Sequence, residues 1–245
     1  MSDAFITADD HVIEVGAGAG ALTRSLSDKA NYVTAFEVDR SLASLLDKLA
    51  AERGNIRIVY DDVLKADIAP VTNGKPFKLV ANLPYYITTP VIFHFLDLPG
   101  LQSLTVMVQK EVALRFTARE NTPEYGAVTA QLKAYGDPKL VRTVSRALFT
   151  PPPNVDSAIV HLTIQKRPGI HDSALLKRLI AAAFSMRRKT LQNNLTAAFS
   201  LSKEQASDFL QAANLSESVR GEALGIEQFI ALSNSLLKHR LRDKG

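Results

Sequence analysis

The chain contains no cysteine, which excludes disulfides and cysteine-ligated metals and fits a cytoplasmic protein. No apolar run approaches the roughly 20 residues that a membrane-spanning helix needs. The N-terminus also lacks the basic-then-apolar pattern of an export signal, so no membrane partner is expected. The five histidines, His11, His94, His161, His171 and His239, show neither His-x-x-x-His nor His-x-Glu spacing, and no metal site is expected. There is no internal repeat. What is present is an ordinary globular balance of 46% hydrophobic and 22% charged residues over 245 positions. That length suits one large domain, or one domain with a small companion, and a monomer is the expectation.

The net charge of +4 is unevenly placed. Basic and acidic residues cancel over 1–170, and the whole excess lies in 171–245. Such asymmetry points to a polyanion at the C-terminal third.

The order of patterns begins with a strand at His11 to Val15 that breaks into Gly16-Ala17-Gly18-Ala19-Gly20 and then a helical stretch from Ala21. A strand feeding a glycine loop and a helix opens many nucleotide-binding α/β units, because glycine lets the backbone approach a ligand. With Ala21 in the final position the loop also satisfies the dinucleotide pattern, so a nicotinamide-dependent dehydrogenase is one candidate class. Asn31 to Val38 reads as the second strand. Glu37 follows the first glycine by about twenty residues, where an acid can accept ribose hydroxyls; otherwise it is a solvated acid at a strand end. Ser41 to Arg53 is an amphipathic helix with Leu42, Leu45, Leu46 and Leu49 on one face. Ile56 to Tyr60 is a third strand, followed by Asp61 and Asp62. An acid here accepts from an adenine amino group, or simply caps the turn.

The apolar run Phe77 to Ala81 is a fourth, buried strand that ends in Asn82-Leu83-Pro84-Tyr85. Proline stops the ladder and forces Leu83 into an extended conformation. The Leu83 carbonyl and the Asn82 side-chain carbonyl are then two acceptors for an exocyclic amine, which offers two N–H donors. Tyr85 sits where its ring stacks on a flat base. Thr89-Pro90 has the composition of a helix start. Strands at Leu104 to Val108, Val141 to Val144 and Ala158 to Ile164 follow, with helices near Glu111 to Ala118 and Tyr125 to Tyr135. Between the last two strands lies Phe149-Thr150-Pro151-Pro152-Pro153-Asn154, a stiff loop expected to hold Phe149 in place. Lys166 to Gly169 reads as a linker between a first domain, 1–168, and a helical second domain, 169–245. The second domain carries Arg187, Arg188 and Lys189 on an expected helix, where they meet phosphates or remain a solvated face.

Together these segments resemble the small-subunit ribosomal RNA adenine N6,N6-dimethyltransferases, which use S-adenosylmethionine. The resemblance runs from His11 into the C-terminal region. It is carried by Val12 to Gly18, Ala35 to Asp39, Asp62 to Leu64, Val80 to Pro90, Gln109 to Val112, Phe149 to Ala158 and Arg187 to Leu191. It implies an α/β fold, a Rossmann-like class I methyltransferase sheet of seven strands with a small helical RNA-binding domain. It implies that Gly16 and Gly18 surround the methionine part of the cofactor, that Glu37 binds the ribose and that Asp62 binds the adenine amine. Asn82 would lie between cofactor and target base, in a catalytic segment of Asn82, Leu83, Pro84 and Tyr85, with Phe149 packing on the target adenine. The implied partner is small-subunit RNA in a pre-ribosomal particle, methylated at two adjacent adenosines near its 3′ end.

Members of that family also carry an N-terminal arm with a Gly-Gln-x-Phe-Leu element, which helps enclose cofactor and target; nothing among Met1 to Asp10 matches it. Three other readings stand beside the first. They are an erythromycin-resistance-type methyltransferase of large-subunit RNA, a weakly active RNA-binding assembly factor, and the dehydrogenase, which leaves the Asn-Leu-Pro-Tyr turn unexplained.

Overall fold

The computed structural model describes residues 2–242. In chain order its elements are β1 (His11–Val15), α1 (Ala21–Ser27), β2 (Tyr32–Phe36), α2 (Ala43–Arg53), β3 (Ile56–Val59) and α3 (Ala69–Thr72). Then come β4 (Phe77–Asn82), α4 (Tyr85–Leu96), β5 (Leu101–Gln109), α5 (Lys110–Phe116), α6 (Ala127–Lys133), β6 (Lys139–Val144) and β7 (Ser157–Thr163). Four further helices follow: α7 (Ser173–Ala183), α8 (Leu191–Phe199), α9 (Lys203–Ala212) and α10 (Ile226–Arg242).

The strands form one seven-stranded sheet in the order β3-β2-β1-β4-β5-β7-β6. The first five are parallel, and β7 runs antiparallel to both of its neighbours. The central strands β1, β2 and β4 are largely buried, which is why they read as nearly continuous apolar runs. Chain direction across the sheet reverses between β1 and β4, and ligands bind beyond the carboxyl ends of strands at such a switch point. Register brings those ends level: Val15 pairs with Phe36 and with Ala81, and Phe36 pairs with Val59. The loops after β1, β2, β3 and β4 therefore open at one edge.

Contacts divide the chain into two compact units, 1–113 with 138–164, and 114–137 with 165–245. A single cut at 168 does not describe this division. The segment 114–137 packs with the C-terminal helices because its polar groups are satisfied there. The Tyr125 hydroxyl donates to the Leu224 carbonyl at 2.8 Å, and Asn121 N–H donates to the Glu222 carbonyl. Nor is 166–169 a free linker. Arg167 N–H bonds the Ala134 carbonyl, its guanidinium pairs with Asp137, and the Asn234 amide holds the Gly169 carbonyl at 2.7 Å.

Three local expectations are corrected. Helix α4 begins at Tyr85, not at Thr89, because the Pro84 carbonyl accepts from Ile87 N–H and from the Thr88 hydroxyl; Pro90 lies inside the helix. Leu46 and Leu49 of α2 are buried, but Leu45 is exposed. Arg187, Arg188 and Lys189 lie on a turn between α7 and α8 and not on a helix. Continuing α7 would require Arg187 N–H to reach the Ala183 carbonyl. The buried Asn194 side chain donates to that carbonyl instead, at 2.9 Å, and Thr190 caps the start of α8. Among the described residues no helix is long and apolar enough to cross a membrane.

Candidate active site

The loop after β1 is held against β2 by Gly16 and Ala17 N–H groups, both donating to the Phe36 carbonyl. Gly20 ends the loop with φ of 80°, and a Cβ there would lie 2.8 Å from Leu49 Cδ2. Only glycine combines that backbone with that approach of loop to α2. Gly18 differs: φ is 54°, and a Cβ would meet nothing within 4 Å. Its open side belongs to a cavity of about 300 Å³ lined by Gly16, Gly18, Glu37, Val38, Asp62, Asn82 and neighbours. The cofactor-site residues expected from sequence are thus brought together in one unit.

Glu37 is 8% exposed and sits among three backbone donors. Its Oε1 accepts from Val38 and Asp39 N–H at 2.8 and 2.9 Å, and Oε2 accepts from Gly18 N–H at 2.8 Å. A carboxylate has about four acceptor positions, so room remains for one hydroxyl without rearrangement. A second hydroxyl would displace the Gly18 bond. Asp62 caps the turn after β3, its Oδ1 accepting from Leu64 N–H at 3.1 Å, and also faces the cavity.

The cavity is also lined by Asn82, the exposed last residue of β4, paired in register with Met107. Leu83 turns its side chain inward, where it is buried and lies 3.3 Å from where a Gly16 Cβ would be. Pro84 is extended, with φ −52° and ψ 135°, as its ring requires. The backbone of Tyr85 starts α4, but its side chain lies outside the described residues, so its stacking role has no structural description. Phe149 is half-buried and is not among the residues lining the cavity. Its loop is nevertheless pinned. Arg146 N–H donates to Asp156 Oδ1 and the Arg146 guanidinium to the Asn154 carbonyl, each at 3.0 Å.

Sequence reasoning missed several features. Val38 and Tyr86 line the cavity although 68% and 82% exposed, and exposed apolar side chains grouped at a cleft mark a contact surface. Glu14, inside β1, is fully buried; an acid within the run His-Val-Ile-Glu-Val was its signal. Burial, against the easing effect of the Thr23 hydroxyl and with the added repulsion of Glu37, pushes its carboxyl up to about 8. In the helical unit, Arg187, Arg188 and Arg220 line a groove of about 390 Å³ with Asn121, Thr122, Pro123 and Glu222. Arg220 had no local signal. It arrives there because Leu191 N–H bonds the Val219 carbonyl and Gly221 packs on Ala183, where a Cβ would lie 2.5 Å from the carbonyl oxygen. Arg187 is engaged within the unit, donating to the Pro123 carbonyl at 2.6 Å and facing Glu222 at 3.5 Å. Arg188 and Lys189 are exposed.

A family model described as ribosomal RNA adenine dimethylase matches residues 1–237. A relative named ribosomal RNA small subunit methyltransferase A, from Clostridioides difficile, is 42% identical over 242 residues, covering 96% of this chain and 83% of the relative. The chain belongs to the ribosomal RNA adenine dimethylase family. Among solved structures, a dimethyladenosine transferase from Plasmodium falciparum superposes with a TM-score of 0.83 at 26% identity, covering 97% of this chain and 93% of that one. The 23S rRNA methyltransferase ErmE gives 0.72 at 28% identity, covering 96% and 94%. Membership in the dimethylase family makes the chain a class I methyltransferase, an α/β enzyme whose sheet carries an antiparallel β7. The dehydrogenase reading falls with it, since the dinucleotide fold orders its strands 3-2-1-4-5-6.

Proposed function

We propose that this chain transfers methyl groups from S-adenosylmethionine to the N6 amines of two adjacent adenosines near the 3′ end of small-subunit ribosomal RNA, as part of small-subunit assembly. The observation that carries the proposal is one cavity lined by Gly18, Glu37, Asp62 and Asn82. The residues fit the donor: a carboxylate with one acceptor position left for a ribose hydroxyl, an acid at Asp62 for an adenine amine, and an open glycine surface at Gly18. When bound, the donor supplies a methyl group already activated by a sulfonium.

The protein's part is placement and electrostatics. An adenine amine is a poor nucleophile because its lone pair is delocalised into the ring. Asn82 Oδ1 and the Leu83 carbonyl would accept its two hydrogens and favour a pyramidal nitrogen, and these acceptors strengthen as positive charge develops there. No strong base is required. The target base has to leave its stack, and Tyr85 and Phe149 would replace the lost stacking. Arg188, Lys189 and Arg220 would meet RNA phosphates, with Arg187 shaping the groove beside them.

The small-subunit assignment is favoured over the large-subunit alternative by the name of the 42% identical relative. The test is a competition: immature small subunits and large-subunit RNA offered together with labelled S-adenosylmethionine. Label on the small subunit supports the proposal. Label confined to the large-subunit RNA replaces it with the erythromycin-resistance type.

A further inference from the structure

One face of the sheet between β4 and β6 is polar, where strands of a parallel sheet are ordinarily apolar. Successive strand residues alternate between faces. Register then sets Lys78, Ser103 and Thr163 side by side in one row, and Thr105, His161 and Lys139 in the next. All but Thr105 line a cavity of about 480 Å³, together with Phe5 and Asp10. Lys78 precedes Asn82 by four residues of β4, about 13 Å along the strand, so this cavity lies away from the methyl-donor site. Its lining is organised. The Lys78 side chain is 17% exposed, and its ammonium donates to the Phe5 carbonyl at 2.8 Å and to Asp10 at 2.7 Å, which leaves a third N–H to donate. His161 is buried, and its Nδ1 and Nε2 meet the Thr105 and Thr163 hydroxyls at 2.8 and 3.2 Å. Burial, then the charges of Lys78 and Lys139, hold the ring below the ordinary histidine range, so it is neutral at pH 7. Lys139 is exposed and forms no ion pair among the described residues. Phe5 is 59% exposed on a left-handed backbone with φ of 52°, which bulky residues rarely adopt. Its ring stands edge-on to His161, with centroids 4.8 Å apart. Neither that exposure nor that backbone helps the chain to fold.

We propose that this cavity binds one nucleotide, with its phosphate held by Lys78, Lys139 and the Thr163 hydroxyl and its base stacked on Phe5. Two ammonium groups against the single carboxylate of Asp10 leave a net positive charge, which suits a phosphate. The volume is that of a small-molecule site, and an exposed aromatic ring beside cations holds nucleotides of any base. The neutral imidazole completes the site through its tautomer. With the proton on Nε2, Thr163 accepts from the ring and turns its own O–H to the phosphate, while the Thr105 hydroxyl donates to Nδ1. The same chemistry serves a free nucleotide or one nucleotide of a bound RNA strand. The site stands or falls independently of the methyl-donor cavity.

The experiment is NMR titration of the full chain with uridine monophosphate, with uridine and with a short oligouridine; a pyrimidine avoids competition from an adenine site in the donor cavity. Uridine monophosphate should shift the resonances of Phe5, Lys139 and Thr163 and move the His161 ring nitrogens to the Nε2–H tautomer. Uridine, which lacks the phosphate, should bind about tenfold more weakly or worse. Lys139→Gln, at an exposed position, should weaken uridine monophosphate by about tenfold or more and leave the affinity for S-adenosylhomocysteine unchanged. Phe5→Leu should cost about fivefold or more through lost stacking. Uridine monophosphate binding as tightly as oligouridine supports the proposal with a free nucleotide as ligand. A response stronger with oligouridine, or confined to it, supports the proposal with RNA as the source. No response at these residues to either ligand at millimolar concentration overturns the proposal, and so does binding that Lys139→Gln leaves unchanged.

Discussion

Glu37 is where the geometry gives the sharpest expectation. Its three backbone bonds, from Gly18, Val38 and Asp39, mean that Glu37→Ala removes, besides the proposed ribose contact, the group that ties the loop after β1 to the end of β2. A hydrogen bond to a charged group is worth about 1.5–3 kcal/mol. One ribose hydroxyl at the remaining acceptor position therefore corresponds to a roughly 10- to 150-fold loss of affinity for S-adenosylhomocysteine. Loosening of the Gly18 loop adds to that. The two contributions separate in a double-mutant cycle with an S-adenosylhomocysteine analogue lacking both ribose hydroxyls. Removing the hydroxyls should cost the wild type tenfold or more and cost Glu37→Ala little. Equal cost in both proteins, or unchanged affinity in the mutant, refutes the ribose assignment.

Asn82→Ala should reduce the single-turnover rate of methyl transfer at saturating cofactor far more than it weakens RNA binding, and a rate close to wild type would rule it out as an acceptor. Replacing Arg188, Lys189 and Arg220 with glutamine should flatten the salt dependence of RNA binding by about 0.7–0.9 per lost phosphate contact; a wild-type slope would assign these cations to the solvated surface. Arg187→Ala is expected to act on stability, by no more than about 1 kcal/mol per exposed ion pair, read as a small drop in Tm. Glu14 makes the ligand-free protein sensitive to pH. Its carboxyl is raised from 4.5 to about 8, so its neutral form's contribution is fully present below about pH 4.5 and lost as pH rises through 8. The upper bound on that loss is about 5 kcal/mol. Denaturant unfolding at pH 5 and pH 9 should show the loss in wild type and not in Glu14→Gln.

The cavity was legible in the sequence because each of its walls is a short local signal at the end of a strand. Gly16 to Gly20, Glu37, Asp62 and Asn82 all follow apolar runs of strand length, and parallel register alone brings four such ends together. The features that escaped depend on partners far away in the chain. Tyr125 finds its acceptor 99 positions later, so nothing near it signals that 114–137 joins the helical unit. The run Phe184 to Leu195 is helical by composition, and it breaks because Asn194 takes the Ala183 carbonyl. Arg220 reaches the basic turn through Gly221, whose neighbourhood in sequence is unremarkable. Glu14 was visible as an acid in an apolar strand, but only the fold shows that it is sealed from water without a partner.

The central claim is that this cavity delivers methyl groups to adenine N6 in small-subunit RNA. Its most direct measurement is mass spectrometry of nucleosides and RNA fragments after incubating the chain with S-adenosylmethionine and immature small subunits. The expected result is N6,N6-dimethyladenosine at two adjacent positions near the 3′ end, lost with Asn82→Ala. Methylation at another atom or base, or no transfer while S-adenosylhomocysteine still binds, would contradict it.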